Sequence, residues 1–265
     1  GMPRSGTSLA AAVFARKGYC MGGSRLAYVR EGDDHNPFGY FEADDLIEAN
    51  VQLFQSAGYG CHNTWLFDPI SPEAVEHIAR TPPREEHRRL VADYQQQSPW
   101  MWKDPRLCFT LAYWWRLIDP HQTGVLLVRR EPMDIYRSFR RKGWCPSGDE
   151  RSRREILDRI EQHMAAATRA IDALAIPHVV VDYQEYEQRP AAVARRLGDF
   201  FAVDLSTEDL NFHSELNHSS RRGRIAAYLR RQLTKLPRRP VRTLERLIPR
   251  RLLALVFPER KFTKR

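Results

Sequence analysis

Three groups of residues in this chain have types and spacings suited to handling an anion. The first is Gly1-Met-Pro-Arg-Ser-Gly-Thr-Ser8, whose glycines at 1 and 6 match the G-x-x-x-x-G frame of a nucleotide phosphate loop. Backbone N–H groups around Ser5, Gly6, Thr7 and Ser8 can form an anion nest at the start of the following helix. Thr7 stands where an ATPase needs lysine, and Arg4 can supply the positive charge in its place. Without that lysine, and with no carboxylate evidently dedicated to magnesium, ATP chemistry is disfavoured. The same residues also read as a Pro/Gly turn entering a helix.

The second group closes an apolar run, Val125-Leu-Leu-Val-Arg-Arg-Glu-Pro-Met-Asp-Ile-Tyr-Arg-Ser138. Arg130 would end a strand and Ser138 would lie on the next helix, which Pro132 suits as a first-turn residue. An arginine, a hydroxyl and a helix N-terminus together suit a phosphate dianion. Read alone, Arg129 and Arg130 are equally solvated charges at a strand end.

The third group could move a proton and steady a leaving group. Glu42 follows the turn signal Asn36-Pro-Phe-Gly39 and is the candidate general base, with His35 as the other candidate. Glu42 also fits an ordinary acid at a helix start, and His35 a surface histidine. Lys103 ends a β-type run, where side chains of parallel sheets reach the ligand crevice. Asp104 and Pro105 suit the N-cap and first position of a helix. Arg106 fits either a structural or a substrate role.

Pro3-Arg-Ser-Gly-Thr-Ser8 resembles the 5′-phosphosulfate loop of the sulfotransferases that use 3′-phosphoadenosine 5′-phosphosulfate (PAPS), with Arg4 where many members carry lysine. The segment from Val125 to Ser138 is similar to the family's 3′-phosphate segment, with Arg130 and Ser138 at the two binding places. Asn36–Glu42 and Lys103–Thr110 resemble segments of bacterial members, and the likeness spans roughly residues 1 to 225. It implies PAPS as co-substrate, metal-independent in-line transfer to a hydroxyl or amine, Glu42 as base and Lys103 on the bridging oxygen. Some members close the nucleotide site with a late Arg-Gly-rich segment, which would give Arg221 or Arg222 a phosphate contact; otherwise these begin a basic tail. The acceptor would be a small molecule, carbohydrate or lipid, met by the region from 58 to 98. A small-molecule P-loop kinase and a non-catalytic nucleotide- or anion-binding protein are the alternatives.

Positioning these groups calls for an α/β sheet. β-type runs lie at Trp100–Lys103, Gly124–Arg129 and His178–Asp182; the last two are continuous apolar stretches, as in strands buried on both faces. Helical patterns lie at Thr7–Lys17, Ala43–Ala57, Pro105–Ile118, Met133–Lys142, Glu150–Leu174 and Ala191–Phe201. The expected fold is a P-loop-type parallel sheet flanked by helices over residues 1–222, with a basic helical extension over 223–265. Phosphate loops follow a buried central strand. That first central strand is missing from the sequence as given, so an apolar slot and an unmade row of ladder hydrogen bonds are expected. A late start or a fragment would explain the omission.

Charge divides the chain. The net charge is +9, yet residues 221 to 265 hold sixteen Lys/Arg against two Glu, leaving the first 220 residues net acidic. Apolar residues at helical spacing between those arginines suit docking on the parent domain or a second subunit, or peripheral contact with an anionic membrane. No nucleic-acid motif is evident. Four scattered cysteines and nine histidines show no metal or disulfide pattern, so no metal is expected. Without a leader pattern or a long apolar run, the protein is expected in the cytoplasm.

Overall fold

Two apolar runs carry the sheet. In the computed structural model, which describes residues 1–22, 32, 36, 39–59, 69–145 and 148–212, Val125–Arg129 (β1) and His178–Asp182 (β2) pair in parallel. Val125 lies opposite His178 and Arg129 opposite Asp182. Trp100–Lys103 does not extend into a strand; among the described residues it contributes an isolated parallel bridge between Trp100 and Cys20. The fold is therefore α/β, mostly helical, with a small parallel sheet of two strands.

Helices surround it: α1 (Thr7–Arg16), α2 (Asp44–Ser56), α3 (Pro72–Arg80), α4 (Glu85–Gln95), α5 (Leu107–Trp115), α6 (Pro132–Arg141), α7 (Glu150–Ala173), α8 (Glu185–Gln188) and α9 (Pro190–Phe201). Their starts follow local chemistry. The Ser71 hydroxyl accepts from the Ala74 N–H at 3.2 Å ahead of Pro72, and the Asp149 carboxylate accepts from the Ser152 N–H at 2.7 Å. Pro132 and Pro190 each open a helix.

Asp104 makes the capping bond expected of it: its carboxylate accepts from the Arg106 N–H at 2.9 Å, and its carbonyl accepts from Leu107 at 3.1 Å. Residues 105–106 form a tighter turn, so the regular helix α5 starts at Leu107. α5 is apolar nearly all round, with Phe109, Leu111, Tyr113 and Trp114 buried, and it packs between α3 and α7. The main core gathers on it, joining Leu53 and Phe54 of α2, Ile78 of α3, Leu127 of β1 and Ile171 of α7.

A partly open slot of about 550 Å³, lined by apolar residues and by Thr7, Lys103, Asp104 and His121, runs along the edge of β1 that faces away from β2. Protein interiors hold few voids larger than a water molecule.

No helix among the described residues is long and apolar enough to cross a membrane. Residues 1–211 form one compact unit; the basic tail, its expected helices and the proposed boundary at 222 lie outside the described residues.

Candidate functional site

The loop before α1 is folded on itself. Both the N–H and the hydroxyl of Ser5 donate to the Met2 carbonyl, at 3.2 and 2.6 Å, and Ser5 is buried. Its hydroxyl therefore serves the turn and does not point outward as a donor. Arg4 (φ 67°) and Gly6 (φ 102°) both adopt the left-handed conformation. For Gly6 no other residue would serve: an added Cβ would stand 2.3 Å from the Tyr183 ring. For Arg4 the conformation costs on the order of 1 kcal/mol, and such outliers gather at functional sites. The first helical bond of α1 runs from the Ala10 N–H to the Gly6 carbonyl at 3.1 Å, leaving the N–H groups of Thr7, Ser8 and Leu9 ahead of the ladder.

The two sequence-distant segments expected to hold phosphate meet at this loop. The Arg4 Nε–H donates to the Ser138 hydroxyl at 3.0 Å, and an Arg130 Nη1–H donates to the Arg4 carbonyl at 3.1 Å. Arg130 also stacks 4.1 Å from the centre of the Tyr183 ring. Burial is the chief reason its guanidinium lies below the ordinary arginine range, and Arg4 pushes the same way. Arg141 is lowered by partial burial, then by Arg130 and Arg4. Burial raises the Tyr183 phenol, and the two arginines partly oppose that. Three guanidiniums thus stand close together beside a buried hydroxyl and the start of a helix, with the Asp134 carboxylate opposing part of their repulsion.

Glu42 and Lys103, singled out separately in the sequence, form a buried ion pair between Nζ and Oε1. The turn that delivers Glu42 forms as expected: Asn36 Nδ2–H donates to the Gly39 carbonyl at 2.6 Å. Phe41, just before Glu42, is again left-handed at φ 55°. The Ser8 hydroxyl reaches the Tyr40 carbonyl at 3.4 Å, tying this turn to the phosphate loop. Lys142 of the stretch after α6 pairs with the Tyr40 hydroxyl.

Behind Lys103 lies a buried polar network. Asp104 accepts from Arg106 Nη1 at 3.0 and 3.2 Å and from Asn50 Nδ2 at 3.0 Å. The Asn50 carbonyl oxygen accepts from the Thr110 hydroxyl and the Trp114 indole N–H, both at 2.8 Å. The network fixes the chain just past Lys103 to α2 and α5, and it gives Arg106 a structural place.

Arg4, Ser5, Gly6, Thr7, Ser8, Arg130 and Ser138 therefore sit around one loop, with Glu42 and Lys103 paired beside it. His35, Arg221 and Arg222 lie outside the described residues. Sequence reasoning missed Arg141, Tyr183 and Asn50. Arg141 was findable, three residues after Ser138 on one helical face. Tyr183 follows the end of a parallel strand, the position that drew attention to Lys103. Asn50, inside an amphipathic helix, carried no such signal. No family model, no curated protein and no solved structure matches this chain, so the site stands on its own geometry.

Proposed function

We propose that this chain is a sulfotransferase of P-loop-type fold that carries a sulfuryl group from PAPS to a hydroxyl or amine. The observation that carries the reading is the meeting of Arg4, Arg130 and Ser138, drawn from segments more than a hundred residues apart. Three like charges crowded beside a hydroxyl call for a compact anion of about two negative charges, which the 3′-phosphate supplies. Arg4 joins this set, where the sequence reading gave it to the phosphosulfate. The N–H groups ahead of α1 and Lys103 are left for the phosphosulfate end.

In this reading the acceptor oxygen or nitrogen attacks sulfur in line, and the bond from sulfur to the bridging phosphate oxygen breaks. Glu42 takes the acceptor's proton, and Lys103 steadies the charge arriving on the phosphate. The Glu42–Lys103 pair serves as the resting arrangement: a phosphate that draws the ammonium away leaves the carboxylate for the acceptor. Catalysis then rests on positioning and fixed charge. The acceptor is a small molecule, sugar or lipid.

Thermal unfolding with adenosine 3′,5′-bisphosphate, compared with ATP and magnesium, tests the reading. The bisphosphate at a hundred times its Kd should add about 2.7 kcal/mol of stability, and ATP–magnesium much less. Equal or greater stabilisation by ATP–magnesium would overturn it. Glu42→Gln, which keeps a partner for Lys103, should cut turnover by about a hundredfold or more while leaving bisphosphate binding intact.

A further inference from the structure

Lys142 joins two parts of the candidate site. It follows the last residue of α6, and its N–H donates to the Ser138 carbonyl at 3.1 Å, so it lies one turn past the serine that Arg4 holds. The helix ends there because Gly143 turns left-handed at φ 76° and the Trp144 N–H returns to the Phe139 carbonyl at 3.0 Å. The Trp144 ring packs edge-on against the buried Phe139. The Lys142 ammonium lies 5.0 Å from the centre of the Tyr40 ring and 5.1 Å from that of Trp144, and it donates to the Tyr40 hydroxyl. Two aromatic rings and a charged donor on a half-buried stem make this a fixed contact.

Tyr40 leads to the candidate base. Gly39 and Phe41 on either side of it are left-handed, at φ 93° and 55°. Glycine takes that conformation freely, whereas phenylalanine keeps it only where the surrounding structure fixes the chain. Past Glu42 the chain is fixed by α2, where the Ile47 N–H donates to the Ala43 carbonyl at 3.0 Å. Ahead of Glu42 the fixed point is Tyr40, which is buried and held by Ser8 on its carbonyl and by Lys142 on its hydroxyl.

We propose that Lys142 is a positioning residue for the candidate base: it anchors Tyr40 to the end of α6, and the left-handed Phe41 carries that anchor to Glu42. The inference rests on Glu42 serving as base in the reading above. It gives α6 two tasks one turn apart, with Ser138 at the nucleotide and Lys142 at the turn that bears the base. In-line transfer needs both held in one frame, because a misplaced base costs rate without costing nucleotide affinity. Lys142 acts through the Tyr40 hydroxyl, so removing either group removes the same contact.

The test uses the full chain with Lys142→Met, Lys142→Arg, Tyr40→Phe and the double variant Lys142→Met with Tyr40→Phe. Water serves as the acceptor: sulfate released from saturating PAPS is followed over a single turnover, and the Kd of adenosine 3′,5′-bisphosphate is measured by calorimetry. Lys142→Met and Tyr40→Phe should each slow release about tenfold while the Kd stays within about twofold. The double variant should be no slower than either single one, and Lys142→Arg should recover most of the rate. Hydrogen exchange at the Gly39 and Ile47 amides, which are bonded on either side of Glu42, should quicken about tenfold in Lys142→Met. Additive losses in the double variant, or unchanged exchange, would overturn the proposal. So would a Kd weakened as much as the rate, since Lys142 would then hold the nucleotide itself. If the unaltered chain neither binds the bisphosphate nor releases sulfate, the sulfotransferase reading fails, and the exchange result still decides whether Lys142 sets the turn.

Discussion

Two groups of arginines among the described residues treat their charge in different ways. Beside Lys103, Arg106 is 7% exposed and bound to the carboxylate of Asp104, which Asn50 holds in turn. At the loop before α1, Arg4, Arg130 and Arg141 stand close together; burial is the chief pressure on Arg130, and Asp134 offsets part of the repulsion at Arg130 and Arg141. The first arrangement holds two helices and a loop in one register. The second spends stability, and clusters of that kind persist where an anion arrives to relieve them. A one-to-one ion pair thus marks the scaffold, and an excess of positive charge marks the candidate site.

Breaking the neutral network should give the largest effect. Asp104→Ala leaves the Arg106 guanidinium buried without its carboxylate and frees the Asn50 amide, so unfolding in urea should show a loss of about 3–5 kcal/mol. Removing one charge from the crowded cluster should act in the opposite sense. Arg130→Gln should leave the urea midpoint unchanged or slightly higher, yet weaken binding of adenosine 3′,5′-bisphosphate by about ten- to a hundredfold, measured by calorimetry. A stability loss at Arg130 as large as that at Asp104 would erase the distinction between the two regions.

How far the sequence reveals these regions depends on what each residue needs around it. Val125–Arg129 and His178–Asp182 read as strands because their apolar runs leave no other use for them, and they pair with each other. Trp100–Lys103 is largely apolar too but, among the described residues, bridges only at Trp100, because a strand needs a neighbour along its edge and here one edge faces the slot. The phosphate segments were legible because Gly6, Pro132 and Ser138 occupy spacings with a mechanical reason. Asp104 was legible as a cap, and its carboxylate does take the Arg106 N–H, although regular helix begins only at Leu107. The pairing of Glu42 with Lys103 could not be read, since 61 residues separate them and no local pattern links the two.

A third buried basic group escapes both solutions by giving up its proton. The His163 Nδ1–H donates to the Arg159 carbonyl at 2.7 Å, and burial pushes the imidazole down to about 3. The folded chain keeps it neutral, while the unfolded chain protonates it below about 6.5. Unfolding therefore takes up a proton between those values, and stability falls as pH drops through that window, by about 1.4 kcal/mol per unit from this residue. His163→Leu should flatten the acid limb of a urea-midpoint profile between pH 4 and 6, leaving the smaller slope from His87, which burial also lowers. An unchanged limb would mean that His163 is charged in the fold.

The finest test of the comparison is Arg141. It lies at the solvent edge of the cluster, so its repulsion with Arg130 and Arg4 is screened and its attraction for an anion is screened equally. Arg141→Gln should therefore weaken bisphosphate binding only about threefold and leave the melting temperature within about a degree. Its mark should be in the salt dependence: with one guanidinium fewer, affinity should fall less steeply as sodium chloride rises from 50 to 300 mM. Arg130→Gln should flatten that dependence too, but with the larger loss at every salt concentration, because its charge is covered and screened less. An identical loss for the two variants at low salt would mean that burial does not grade the cluster.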